Sequence, residues 1–384
     1  EFWRERRELM NGFRRKVVAV AVSGGVDSSV AALLMKRRGF RVVGVHMTNW
    51  SQADESGETK CERTLDEEYA RETCEFLDIP YHHVNFEQEY WNDVFTPLVE
   101  GYKLGVTPNP DVWCNREVKF KPLLEYARNE LGADMLATGH YARLYVEGGS
   151  SKRPRLLSAV DPTKDQTYFL CGVNGESFRD VVFPVGELDK RRDVRRIAED
   201  AKLPTWKRKD SQGICFIGKR KMSDFMGQYA EERPGPILSI VDETQIGEHI
   251  GLFSLTVGQG AKIGGSPHKW FVAKKDIETN TIWCAPKDHS SLYTNEIRVR
   301  DMNWIAGHAP VQLKTHGRFD CMLRIRHQQD LIPCTISVED STVRIQSHES
   351  IRGVASQQIA ALYEKAPGNS FYCLGGGSID DSYI

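Results

Sequence analysis

Ser23-Gly24-Gly25-Val26-Asp27-Ser28-Ser29 stands between an apolar run, Val17–Val22, and a helical pattern from Ser29 to Arg38. A buried strand, a glycine turn and a helix start make a natural seat for phosphate. Glycines let the backbone approach the ligand, and the N–H groups of the first helical turn point at the anion. The stretch lacks the Gly-Lys-Ser/Thr ending of a Walker A loop, and with it that loop's phosphate-seeking lysine. Outward from it, Gly39 is a good C-cap and Arg41–Met47 is a second apolar strand, so a βαβ unit opens the fold. Asp66–Leu77 reads as a helix stopping before Pro80, Tyr81–Phe86 as a third strand, and Lys121–Leu131 as a helix closed by Gly132. Asp134–Thr138 is a fourth strand running into Gly139-His140-Tyr141. Strands alternating with helices predict an α/β fold with a doubly wound parallel sheet. Ligands of such sheets sit at the carboxyl ends of the strands, where Ser23, Met47 and Gly139 would meet.

The 384 residues are long for one domain and suit two or three, and 40% hydrophobic content supports a substantial core. No apolar run approaches the length of a membrane helix, so no membrane partner is expected. A formal charge of −2 argues against a uniformly basic coat for nucleic acid. Basic residues nevertheless cluster at Arg4–Lys16, Lys152–Arg155, Lys190–Arg196, Lys207–Lys209 and Lys219–Lys221, each read first as a solvated face. Nine cysteines, an odd number with no Cys-x-x-Cys pair, argue against a disulfide scaffold and a zinc site, and no metal-ligand set is assigned. They suit a reducing compartment. The chain opens at Glu1 rather than methionine, which leaves its natural start open. Six basic residues in Glu1–Lys16 fit an organelle presequence, but the three glutamates among them do not.

Between the third and fourth strands lies Gly105-Val-Thr-Pro-Asn-Pro-Asp-Val-Trp-Cys-Asn115, whose prolines and asparagines shape a loop. It ends with Asp111 and Cys114, an ionisable group three residues from a thiol, a spacing that suits either assisted nucleophilic chemistry or a buried cysteine after a loop. Lys164–Leu170 is a polar turn entering an apolar segment, and Asp193–Ala201 a short helix stopped by Pro204. In Lys209–Gly218, Cys215 follows a flexible Ser-Gln-Gly. From about Arg233, short β-like runs with glycine turns take over. With the α/β series before them, these predict an α/β domain over 14–226, a small β-rich central domain over 227–290 and a C-terminal β-barrel over 291–384.

The Ser-Gly-Gly-Val-Asp-Ser loop resembles the PP-loop of the N-type ATP pyrophosphatases, which split ATP between its α- and β-phosphates. Four blocks together are similar to the tRNA-specific 2-thiouridylases: Ser23–Ser29, Thr107–Phe120, Ala137–Tyr141 with Lys164–Phe169, and Asp210–Gly218. Weaker similarity runs through Gly258–Gly265 to Cys373–Gly377, and details such as Arg326-His327-Gln328 resemble the eukaryotic mitochondrial branch. The resemblance implies that Ala21, Val22, Ser23, Gly24, Gly25, Val26, Asp27 and Ser28, with Met47 and Gly139, hold ATP, used with Mg2+. Asn109, Pro110 and Asp111 would meet a flipped-out target base, and Asp111 would also serve as acid or base. Cys114 would be the nucleophile and Cys215 the persulfide carrier, with a disulfide bond in the cycle. His140, Lys164, Asp165, Gln166, Arg326, His327 and Gln358 would touch tRNA. The implied reaction adenylates O2 of the wobble uridine (position 34) and exchanges it for sulfur. Its implied partners are tRNA and a persulfide sulfur-donor protein, in a mitochondrial or else cytoplasmic monomer.

Two departures touch the implied RNA contacts. Gly258-Gln259-Gly260 stands where the family usually has Gly-Gln-Arg, and Val354-Ala-Ser-Gln-Gln358 replaces Thr-Pro-Gly-Gln. Three other readings compete: an amide-forming or argininosuccinate-type PP-loop ligase, a tRNA-binding protein without catalysis, and sulfur insertion at another uridine position. The remaining cysteines, Cys61, Cys74, Cys171, Cys284, Cys321, Cys334 and Cys373, read as structural.

Overall fold

A computed structural model of the chain describes residues 16–50, 62–146, 153–210, 222–266 and 268–380. Cys61 and Cys215, and most of the expected Cys215 loop, lie outside these residues.

Strand β1 (Val17–Ala21) is followed by the glycine loop and helix α1 (Val26–Arg37). Then come β2 (Arg41–Thr48), helix α2 (Glu62–Phe76) and β3 (Tyr81–Asn85). After a helical run over 87–103 and helix α3 (Pro122–Asn129), β4 (Met135–Ala137) closes the expected series. The sheet pairs all in parallel, in the order β3-β2-β1-β4. Its doubly wound character is written in β1: Val18 and Val20 are buried with Val30, Ala31 and Met35 of α1. Ala19, pointing the other way, joins Val45, Leu136 and the aromatic cluster on the opposite face. Both faces are covered, which is why these strands read as continuous apolar runs.

The segment after Tyr141, where the sequence pattern weakens, holds two strands that reading missed. The hairpin β5 (Arg143–Val146) and β6 (Pro154–Leu157) does not join the parallel sheet. It pairs through β6 with the last strand of the chain. A two-residue strand β7 (Val181–Val182) then adds to the edge of β4. The helix expected at Asp193–Ala201 begins earlier, as a π-turn over Lys190–Val194 that continues into Arg195–Asp200.

Strands β8 (Gly235–Ser239), β9 (Gln245–His249), β10 (Gly260–Ala261), β11 (Trp270–Asp276) and β12 (Thr281–Pro286) form the central sheet, ordered β10-β11-β12-β8-β9. The barrel strands are β13 (Tyr293–Trp304), β14 (Phe319–Arg324), β15 (Ile332–Glu339), β16 (Thr342–Arg352), β17 (Ile359–Lys365) and β18 (Phe371–Ile379). They run β13-β16-β15-β14-β17-β18, and β13 pairs back onto β18 to close six strands over an aliphatic core. Among the described residues, no helix is long and apolar enough to cross a membrane.

Candidate functional site

Strand order runs outward from β1 to β2 and β3 on one side and switches to β4 on the other, and the glycine loop opens at that switch point. Gly24 has φ +78°, and a Cβ on it would lie 2.2 Å from the Asp66 carbonyl oxygen of α2, so only glycine fits this turn. Gly139, after β4, sits so close that a Cβ would meet the Ser28 amide nitrogen at 2.7 Å. The expected nucleotide-binding residues Ala21 to Ser28 and Gly139 therefore form one backbone-lined seat, with Ser28 Oγ accepting from the Ser23 amide at 3.1 Å. Met47 lies at the carboxyl end of the neighbouring β2.

Charge surrounds this seat. Asp27, in the first turn of α1, accepts from Tyr141 Oη and from Lys190 Nζ, both at 2.6 Å. Lys190 also lies 3.3 Å from Asp210, which pairs with Lys164 at 2.8 Å and with Arg195. Burial works against the Asp210 charge, but the Lys164 hydrogen bond, the Lys190 ammonium and Arg195 outweigh it and hold its carboxyl well below the usual range. Arg208 donates to the Gly24 carbonyl at 2.6 Å and pairs with Asp66 at 2.7 Å. The solvated-face reading of Lys190–Arg196 is thus corrected at Lys190, whose side chain is 4% exposed. Its partner lies 163 residues away, beyond the reach of a local charge pattern.

The Thr107–Cys114 stretch is ordered by its own chemistry. Asn109 caps the turn Pro110–Trp113, accepting from the Val112 amide at 3.2 Å, with Pro110 at the first helical position. The chain continues as a π-turn over Cys114–Lys119, so Asp111 and Cys114 stand one turn apart. Cys114 is buried, and Asn49, two residues beyond Met47, donates to its sulfur at 3.8 Å. Asn49 was not singled out from the sequence; its place just past a strand's carboxyl end is the signal that could have found it. Burial pushes the Asp111 carboxyl up, partly opposed by the Lys119 ammonium.

Asn109, Pro110 and Asp111 line a cavity of about 160 Å3 with Tyr102, Thr107, Met222 and, from the barrel, Gln358. Gln358 Oε1 is buried there without a hydrogen-bond partner among the described residues. The other expected RNA contacts are spread more widely. His140 packs between Phe120 and Phe183, bonds Thr138 Oγ1 at 2.7 Å, and is kept neutral by burial. Asp165 is turned inward: it accepts from the Ala159 amide and Thr167 Oγ1 and faces Arg324 at 3.4 Å, so its carboxylate is not presented to a ligand. Gln166 accepts from the Tyr141 amide at 2.9 Å, and Lys164 is spent on Asp210. His327 packs tilted against Phe169, with ring centroids 4.4 Å apart, and bonds the Asp165 carbonyl, while the exposed Arg326 donates to the Gly353 carbonyl.

No disulfide joins the described cysteines. Burial pushes the Cys74, Cys171 and Cys284 thiols up to about 12, which fits structural roles. Among the described residues no three His, Cys, Asp or Glu side chains cluster as a metal cage.

A glycine loop at a parallel sheet's switch point, opening a helix, defines an α/β protein of the nucleotide-binding type. Residues 16–219 match the family described as tRNA methyl transferase HUP domain, 223–286 its PRC-barrel domain, and 294–379 an aminomethyltransferase beta-barrel domain. The chain is 41% identical to the mitochondrial tRNA-specific 2-thiouridylase 1 of Mus musculus, covering 94% of this chain and 90% of that protein. It is 42% identical to the tRNA-specific 2-thiouridylase MnmA of Yersinia enterocolitica (97% and 98% covered) and to that of Lysinibacillus sphaericus (95% and 94%). The chain belongs to the tRNA-specific 2-thiouridylase family.

Proposed function

We propose that the protein is an ATP-dependent tRNA-uridine 2-sulfurtransferase acting on the wobble uridine. The observation that carries this reading is the meeting of two sites. Asn49, just past β2 of the nucleotide seat, touches Cys114, one turn from Asp111 in the cavity. That contact supports a reading in which activation and sulfur transfer share one site.

A uracil C2 carbonyl is a poor electrophile because its oxygen leaves poorly. ATP seated on Ser23–Ser29 removes that obstacle: O2 bonds to the α-phosphorus, the bond to the β-phosphate breaks, and pyrophosphate departs. Asp111 accepts the N3 proton as O2 becomes nucleophilic, a task suited to a carboxyl raised by burial. When bound, magnesium screens the phosphate charge. A persulfide on Cys215, loaded by a donor protein, then attacks C2, and AMP leaves with O2. The Cys114 thiolate attacks Cys215 sulfur, forming a Cys114–Cys215 disulfide and releasing the thiocarbonyl, while Asp111 returns the proton to N3. A thiol reductant resets the disulfide. The base reaches this cavity only when unstacked from the anticodon loop, with Asn109, Pro110 and Gln358 lining its place. The relatives named mitochondrial support a mitochondrial setting over a cytoplasmic one, and imaging of the tagged protein tests it.

The experiment is thiolation of tRNA in vitro with ATP, magnesium and a persulfide donor, followed by nucleoside mass spectrometry. The expected product is 2-thiouridine at the wobble position, abolished by Cys114→Ser or Cys215→Ser while adenylation persists. A methylated nucleoside, thiolation elsewhere, or full thiolation by either serine variant would overturn the reading.

A further inference from the structure

The chain that lines the cavity with Thr107, Asn109, Pro110 and Asp111 forms neither helix nor strand from Val106 to Asn109, and Pro108 has no N–H to offer. Its backbone is held from two other parts of the molecule. Gly105, with φ +75°, closes the helical run over 87–103. Its N–H returns to the Tyr102 carbonyl at 3.0 Å, and that of Val106 to the Gly101 carbonyl at 3.1 Å. The Gly105 carbonyl accepts from Lys275 Nζ of β11, in the central sheet, at 2.8 Å. Two residues on, the Thr107 N–H donates to the Ser356 carbonyl at 3.0 Å, in the segment that brings Gln358 to the cavity. The same face of the central sheet packs on Gly105 itself: a Cβ there would meet Leu252 Cδ1 at 3.3 Å and Lys275 Cδ at 3.6 Å. Among the described residues no carboxylate pairs with Lys275, and burial pushes its ammonium down to about 7. An uncompensated ammonium against apolar neighbours works against folding. What a lysine adds at this place is its grip on the Gly105 carbonyl.

We propose that Lys275 is a positioning residue for thiolation: from the central sheet it fixes the Gly105 carbonyl, and through it the cavity wall that carries Asn109 and Asp111. The proposal rests on the reading of that wall as the seat of the target base. Asp111 must meet the N3 proton within hydrogen-bond reach, and a misplacement of about 1 Å can cost about a hundredfold in rate. Without Lys275, Asn109 still caps its own turn and Ser356 still holds Thr107, but the Gly105 end of the wall is free to shift. Most of the affinity for tRNA comes from its phosphates, so a displaced base seat slows the reaction more than it weakens binding.

The test compares the wild-type full chain with Lys275→Met, which keeps an unbranched stem without the donor, and Lys275→Arg, which keeps a donor. In the thiolation assay Lys275→Met should lower kcat by about tenfold or more and leave KM for tRNA and ATP within about twofold. Lys275→Arg should fall between it and the wild type. The melting temperature of Lys275→Met should hold or rise, because an uncompensated ammonium is gone. Hydrogen exchange read by mass spectrometry needs no activity: it should quicken over 106–114 in Lys275→Met and stay unchanged over α1. Wild-type kcat in Lys275→Met, or unchanged exchange over 106–114, overturns the proposal. So does an equal loss of rate in both variants with a lower melting temperature, which would make Lys275 a packing residue. A wild-type chain that makes no 2-thiouridine overturns the sulfurtransferase reading instead.

Discussion

Asp111 and Asp210 are both carboxylates near the site, and their surroundings push them in opposite directions. Asp111 is raised by burial, with Lys119 opposing. As the proposed proton acceptor it must be ionised, so the acid limb of the thiolation rate should lie above the ordinary carboxylate value of 3.8. Lys119→Met removes the opposing charge and should move that limb further up in a pH–rate profile; an unmoved limb would take the proton from Asp111. Asp210 is held low, so its ionised form stabilises the fold. That contribution is complete above the ordinary value of 3.8 and is lost as pH falls through the lower folded value. Asp210→Asn should cost about 1 kcal/mol at neutral pH, kept small because the side chain is about a third exposed. Calorimetric melts should show the difference from wild type narrowing toward strong acid, and a constant gap would contradict the ion-pair account. The Asp111-x-x-Cys114 pair was legible because its two residues lie three apart in the chain. Lys190 was not, because a basic run looks alike whether it faces water or a distant carboxylate.

At the scale of elements, the seat depends on how closely β4's loop approaches α1. A Cβ on Gly139 would lie 2.7 Å from the Ser28 nitrogen and 2.9 Å from the Asp27 carbonyl carbon, both backbone atoms that cannot swing aside. Gly139→Ala should therefore push the two loops apart and weaken ATP binding by about tenfold or more, with little change in far-ultraviolet dichroism. Wild-type ATP affinity in that variant would show that the loops move independently. The strands and helices around this contact were readable from apolar periodicity, with ends displaced by a few residues: α1 begins at Val26, not Ser29. The β5–β6 hairpin escaped because its outer strand is half exposed and its pairing partner lies at the other end of the chain.

Across the whole molecule, that hairpin makes the N-terminal part donate two strands to the barrel's sheet. Tyr168 adds a second tie. Its buried hydroxyl reaches the carbonyls of Ile325 at 3.0 Å and Ile359 at 3.1 Å, both in the barrel region. Tyr168→Phe leaves those carbonyls without that donor and should destabilise the chain by about 1–3 kcal/mol. Denaturant unfolding should then separate barrel and catalytic transitions; a single transition at the wild-type midpoint would mean the hydroxyl couples nothing. Gln358 shows why this coupling matters, since the barrel places it in the same cavity as Asn109, Pro110 and Asp111.

By itself the sequence determined the strand–glycine–helix seat, the order of the parallel strands' elements, the β-rich later half and the Asp111–Cys114 spacing. All of these are written in neighbours a few residues apart, where propensity, periodicity and turn chemistry act. Tertiary structure alone decided that Lys190 meets Asp27, that Asn49 reaches Cys114, that Asp165 turns inward, and that Gln358 joins the cavity. These contacts join segments far apart in the chain, and only burial and charge compensation in the folded protein select them over water.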